Sequence, residues 1–110
     1  MWEIYAWAAT AVEEDHYPLA ELLLDQLRDI IPSESIDEVA RGWILNVEGR
    51  IASGHGAEDA NQYFEQMRQI GLATNEPELV ATAHQNLGVQ AVIADDHVAA
   101  KEHFLRAASS

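Results

Sequence analysis

The stretch HQNLGVQAVIADDHVAAKEHF, residues 84–104, contains two segments of good helix formers separated by Asp95 and Asp96. In the second segment Ala100 and Phe104 are four residues apart, so they lie on the same face of a helix. The small residue allows a neighbouring helix to approach closely, and the large residue fills the space beside it. The stretch therefore predicts a hairpin of two helices that pack through this pair.

The same spacing recurs when the chain is shifted by 40 residues, because Ala20 and Ala60 coincide with Ala100, and Leu24 and Phe64 with Phe104. Further positions coincide in the same way: Trp7, Val47 and Leu87; Ala11, Ile51 and Ala91; Leu27, Met67 and Ala107; Ile4, Ile44 and His84. A lone helix hairpin cannot bury its apolar face, whereas stacked copies can. The recurrence predicts an all-α solenoid of three helix-turn-helix pairs, and the alternative is a six-helix bundle without a repeat.

Glycine, proline and acidic pairs divide the chain into six segments, which predict helices near residues 2–15, 18–31, 36–53, 57–71, 77–94 and 97–108. Residues suited to helix starts precede or open several of them: Pro18; Ser35 with Glu38; Asn75 with Pro77 and Glu78; and Asp95 or Asp96. Sustained alternation typical of strands is absent from the sequence.

Composition excludes several classes of function. The 110 residues include 19 acidic and 6 basic ones, a formal charge of −13, which disfavours binding to nucleic acid or to an anionic membrane. There is no cysteine and no apolar run of about 20 residues, so thiolate metal sites and membrane spans are not expected. The N-terminus lacks the pattern of a signal peptide. These features predict a single folded domain in the cytoplasm.

At its recurring positions the chain resembles the tetratricopeptide repeat, whose pattern is Trp-x2-Leu-Gly-x2-Tyr followed by Ala-x3-Phe and Pro. The third copy is the nearest match, with Leu87-Gly88 and then Ala100 and Phe104. The long period is similar to that of the arrays in MalT-like, AfsR-like and Rap-like bacterial regulators. The resemblance implies a right-handed solenoid. Its repeats would cover approximately residues 1–34, 35–74 and 75–110.

The resemblance also implies a function, because members of this family usually bind proteins or peptides without catalysis. We therefore expect an interaction module that is the sensor or scaffold part of a bacterial regulatory protein. Two alternatives stay open at this stage. One is a structural subunit that acts by homo-oligomerisation, since no polar capping helix follows the last repeat. The other is a small helical enzyme, which has the weakest support because no catalytic constellation can be named.

In such a solenoid the first helix of each pair lines the concave groove. The family's groove positions correspond here to Trp2, Tyr5, Leu45, Asn46, Gly49, Gln85, Asn86 and Val89. Asn46 and Asn86 are equivalent in the recurrence, and each offers a donor and an acceptor to the backbone of an extended peptide. The alternative is that these two amides bond to neighbouring helix residues or to water.

The expected groove contains no basic residue, and Arg41 and Arg50 lie at its margin at best. A groove of this kind cannot clamp a terminal carboxylate, so we expect a partner of basic or apolar character rather than an acidic one. No nucleic acid, membrane or cofactor is expected as a partner. A second copy of the chain could cover the open ends of the solenoid.

The histidines do not have the spacing of a metal site, since His97 and His103 are six residues apart and His16 and His55 fall in turns. His84 replaces isoleucine of the other copies and is expected to be partly buried or exposed at the end of the solenoid. Trp7 coincides with core positions and is therefore predicted to be buried. No phosphate-binding loop or nucleophile motif is present, and no catalytic residue is predicted.

Overall fold

The computed structural model describes residues 2–30 and 37–109, and this part of the chain is all-α. Its six helices are α1 (Trp2–Glu13), α2 (Tyr17–Ile30), α3 (Glu38–Gly54), α4 (Ala60–Ala73), α5 (Pro77–Ile93) and α6 (His97–Ser109). The predicted helices agree with these in number and to within three residues at every end. The all-α, six-helix prediction is confirmed.

Four helices end in the same hydrogen-bonded turn, in which one residue adopts a left-handed backbone: Asp15, Gly56, Asn75 and Asp95, with φ of 61°, 72°, 56° and 61°. After α1, for example, the His16 N–H donates to the Ala11 carbonyl at 2.7 Å. The prediction that Asn75 caps α5 is wrong, because Asn75 ends α4 in a conformation that asparagine tolerates better than most residues. Pro77 occupies the first turn of α5 as predicted.

Aspartate side chains cap two of the helix starts. The Asp37 carboxylate accepts a hydrogen bond from the Ala40 N–H at 2.9 Å, and that of Asp96 accepts one from the Ala99 N–H at 3.1 Å. The second bond confirms Asp96 as the cap of α6. The predicted cap Ser35 lies outside the described residues.

The helices pack in chain order, each against the next, and α1 also contacts α3, which contacts α5. The first helices of the three hairpins therefore lie side by side in one layer. Among the described residues α1 and α6 share no substantial interface, so the helices do not close into a ring. The right-handed course of the solenoid stays a prediction.

The 40-residue recurrence is visible in the core. Ala20, Ala60 and Ala100 are 0%, 1% and 4% exposed, and each lies at the start of the second helix of its hairpin. Leu24 and Phe64 are also buried, whereas Phe104 is 39% exposed. The difference arises because α4 is covered by helices on both sides, while within the described part of the chain the one substantial interface of α6 is with α5.

The prediction that Trp7 belongs to the core is wrong, since its side chain is 59% exposed. Its counterparts Val47 and Leu87 are buried because each faces the second helix of the preceding hairpin: Val47 clusters with residues of α2, and Leu87 with residues of α4. No described helix precedes α1. The buried face of α1 passes instead through Ala8, next to Trp7 in the chain.

Candidate functional site

A groove of about 720 Å³ lies along α1, α3 and α5, the three adjacent first helices. Of the eight predicted groove residues, five line it: Tyr5, Asn46, Gln85, Asn86 and Val89. They come from all three hairpins, so the groove exists only because the hairpins stack.

The other three predicted positions do not line this groove. Trp2 is half exposed at the edge of α1, with its ring packed edge-on against Tyr5 at a centroid distance of 5.6 Å. Leu45 is buried in a cluster with Met67 and Leu79, because α3 is the central helix and this face of it points towards α4 and α5.

Gly49 is the third correction, because it forms a contact surface between two helices instead of the floor of the groove. A β-carbon built at Gly49 would be 2.5 Å from Cε1 of Phe64, so the missing side chain is what allows the phenyl ring of α4 to lie against α3. Gly49 therefore shapes the core beneath the groove.

A chain of hydrogen bonds crosses the groove from α1 to α5. Asn86 donates through Nδ2 to Oδ1 of Asn46 at 2.6 Å, and Asn46 donates through Nδ2 to the Tyr5 hydroxyl at 3.3 Å. The two asparagines therefore bond to each other, as the alternative interpretation expected. This arrangement leaves the Oδ1 of Asn86 as an acceptor without a partner among the described residues.

Asn46 and Asn86 differ in their access to solvent. Asn46 is only 6% exposed and holds the centre of the hydrogen-bond chain, whereas Asn86 is half-buried and reaches the open side of the groove. Burial raises the pKa of the Tyr5 hydroxyl, while the hydrogen bond from Asn46 and the positive charge of Arg50 act in the opposite direction. The phenol therefore stays protonated at neutral pH, and its O–H can donate a hydrogen bond.

Arg50 is a basic residue of the groove, and here the expectation that the groove contains none is wrong. Its half-buried side chain lines the cavity, and no carboxylate of the described residues forms an ion pair with it. Glu13 and Asp15 line the α1 end of the same groove. Arg41 lies elsewhere, 3.6 Å from Glu38 beside a smaller pocket against α4.

The sequence reasoning missed a second polar bridge across the groove. Gln90 donates through Nε2 to Oγ of Ser53 at 2.5 Å, which joins α5 to the end of α3. Gln90 follows Asn86 by four residues, so helical spacing from Asn86 could have placed it on the same face. Together they make one wall of the groove rich in side-chain amides.

The histidines form pairs rather than a metal centre. His16, His55 and His97 each lie beside a carboxylate at the surface, and His84 contacts His103. Across residues 2–30 and 37–109 no three histidine, aspartate or glutamate side chains converge as a metal ion would require.

None of the helices in the described part of the chain has the length and apolar character needed to cross a lipid bilayer. Comparison with family models, with curated proteins and with solved structures finds no match to this chain.

Proposed function

We propose that the protein is a peptide-binding module whose groove along α1, α3 and α5 holds an extended segment of a partner polypeptide. The observation that carries the proposal is the wall of amide side chains, with the Oδ1 of Asn86 free to accept a hydrogen bond. A peptide bond offers one N–H and one carbonyl, and an asparagine or glutamine amide is complementary to both.

Apolar contacts supplement these hydrogen bonds. Val12, Val89 and Ile93 line the groove beside the amides, and Val89 and Ile93 are 46% and 67% exposed. Binding pockets combine apolar walls with a few polar groups that fix orientation, and this groove has the same composition. Amides that bond to the backbone fix the direction of the peptide, while apolar residues of the peptide cover the exposed side chains.

The charges of the groove suggest how the peptide is oriented. Glu13 and Asp15 make the α1 end negative, and Arg50 is a positive charge further along the cavity. Since the whole chain has a net charge of −13, a basic or apolar peptide is favoured over an acidic one at long range. A basic side chain would lie near Glu13, and Arg50 would face a carbonyl of the peptide.

The wider role follows from the same resemblance that predicted the fold. A stack of helix hairpins with a peptide groove is similar to the tetratricopeptide arrays of bacterial signalling regulators, so we infer a sensor or scaffold of such a regulator in the cytoplasm. Binding of a peptide that fits one curvature of the stack better than another would shift the population towards that curvature.

Selection from a displayed library of random peptides on the immobilised protein provides a probe of the groove. We expect the enriched peptides to bind the N46A/N86A double variant at least about tenfold more weakly than the wild type, because about 1.4 kcal/mol or more of hydrogen bonding is lost. Fluorescence polarisation with a labelled peptide measures both affinities, and circular dichroism checks that the variant is folded.

Asn61→Ala is the matched control, since Asn61 is exposed on α4 and does not line the groove. It removes a side-chain amide of the same kind from outside the groove and should leave the affinity for the peptide unchanged. If the enriched peptides bind N46A/N86A as tightly as the wild type, the groove is not their binding site.

Self-association is a second candidate function, and one observation favours it. The first hairpin exposes five large apolar side chains: Trp2, Trp7, Leu19, Leu22 and Ile30. Exposed apolar side chains of this size are typical of a protein contact when they form a contiguous patch.

If a second copy covers this surface, sedimentation velocity should show the wild type shifting from monomer to dimer as its concentration rises. The W7Q/L22Q variant should then stay monomeric, while V98Q, a change at an exposed residue of α6, should behave as the wild type. A wild type that sediments as a monomer at every concentration would eliminate this candidate.

A further inference from the structure

The rings of His84 and His103 contact each other between α5 and α6. Their Nδ1 atoms are 3.1 Å apart and their ring centroids 5.3 Å apart. His84 is 6% exposed and His103 is half-buried. Two imidazole nitrogens at this distance share one hydrogen bond, in which one ring supplies an N–H and the other a lone pair.

The 40-residue recurrence shows that this pair is a departure from the pattern of the hairpins. The same two positions are occupied by Ile4 and Leu23 in the first hairpin and by Ile44 and Tyr63 in the second. Ile4 and Leu23, which pack against the same core cluster, show that apolar side chains satisfy the packing at these positions. Only the third hairpin has two titratable rings there, so the histidines add something that packing does not require.

The His84–His103 contact lies in the interface that holds α6 against α5. The helix packs against α5, and Ala100 is its one buried residue among those described. Of its large apolar side chains, Val98 and Leu105 lie largely in solvent at 81% and 59% exposure, and Phe104 is 39% exposed. We expect a helix with so few buried residues to open at a lower free energy than the central helices α3, α4 and α5.

We propose that His84 and His103 form an acid-sensitive latch that holds α6 against α5 and releases it when both rings are protonated. The neutral pair keeps its hydrogen bond, and so does a pair with a single extra proton, because the cationic ring still donates to the neutral one. A second proton places two N–H groups and two positive charges against each other.

The charged groups around the pair make the second proton costly in the closed state. On α4, Arg68 and Glu65 form an ion pair at 2.9 Å, and on α6, Arg106 and Glu102 form one at 2.8 Å. Burial lowers the pKa of His84, and the charges of His103, Arg68 and Arg106 lower it further, while Glu65 acts against them.

The direction of the pH dependence follows. In the open state the pKa of His84 is near the ordinary 6.5, and in the closed state its lowered pKa makes it bind a proton less readily. The latch is therefore at full strength above pH 6.5 and weakens as the pH falls from 6.5 towards the lowered pKa of the closed state. Each unit by which the pKa in the closed state lies below that in the open state raises the equilibrium constant for opening by about tenfold at low pH.

Amide hydrogen exchange of the full chain tests the latch at about pH 7.5 and about pH 5.5. We expect the protection factors of α6 to fall by about tenfold relative to those of α1 and α2 on acidification. The H84I/H103L variant carries the residues of the first hairpin. In this variant the protection of α6 should fall no more on acidification than that of α1 and α2. The control H97Q removes an exposed histidine of the same helix, and in this variant α6 should still lose more protection than α1 and α2.

An excess loss of protection in α6 that is equal in the wild type and in H84I/H103L would overturn the proposal. A titration of the wild type by nuclear magnetic resonance gives a second test that needs no variant. The latch requires the His84 ring to titrate below the ordinary pKa of 6.5. A His84 ring that titrates at pH 6.5 or above would also overturn it.

Discussion

Alanine in place of Phe64 is expected to lower the free energy of unfolding by about 4 kcal/mol. Phe64 is 1% exposed and packs with Ala60 and Leu87, where α4 lies between α3 and α5. Removing the ring leaves a cavity that helices on two sides prevent from collapsing. Since small domains have only about 5–15 kcal/mol of stability, urea denaturation followed by circular dichroism should show a large shift of the midpoint.

Phe104→Ala is the control for this prediction, because Phe104 occupies the same position of the recurrence but is 39% exposed. Only part of its area leaves water on folding, and the loss should stay below about 2 kcal/mol. Equal losses at Phe64 and Phe104 would contradict the account, in which the position matters because the next hairpin covers it.

Valine in place of Gly49 is expected to cost about 3 kcal/mol of stability. The added β-carbon would lie 2.5, 2.9 and 3.0 Å from three ring carbons of Phe64, and this ring is 1% exposed between α3 and α5, so it has little room to move aside. Helix propensity alone predicts the opposite sign, since glycine is less favourable than valine inside a helix. The sign of the change in urea denaturation therefore separates packing from propensity.

Gly88→Val is the corresponding control in the third hairpin. A β-carbon there would lie 2.6 Å from Cε1 of Phe104, a clash of the same size. Phe104 is partly in solvent and can swing outward, so the loss should be about 1 kcal/mol or less. A Gly49→Val protein that is as stable as the wild type would show that Phe64 has room to move.

Much of the fold could be predicted from the sequence because its information is local and repeated. The spacing of Ala20 and Ala60 from the bulky residue four positions later identified the buried faces of α2 and α4, and in α6 it identified the buried Ala100 but not the exposure of Phe104. The prediction that Trp7 is buried was wrong for a non-local reason. A repeat position is buried only if a neighbouring helix covers it, and the equivalence of Trp7 with Val47 and Leu87 contains no information about neighbours.

The candidate site could be predicted in part. Asn46 and Asn86 are 40 residues apart, and the recurrence placed both on the groove. The roles of Gly49 and Arg50 depend on how far α3 is rotated about its axis, which follows from the packing of Phe64 and cannot be derived from spacing. The contact of His84 with His103 joins two helices and required coordinates.

The most direct test of the proposed function observes the side-chain amide resonances of the ¹⁵N-labelled protein while a library-selected peptide is added. The account predicts that the resonances of Asn46, Asn86, Gln85 and Gln90 shift with the bound fraction. Those of Asn61 and Gln62, exposed on α4, should stay in place. Shifts confined to α4, or a saturated complex in which the four groove amides do not move, would contradict it.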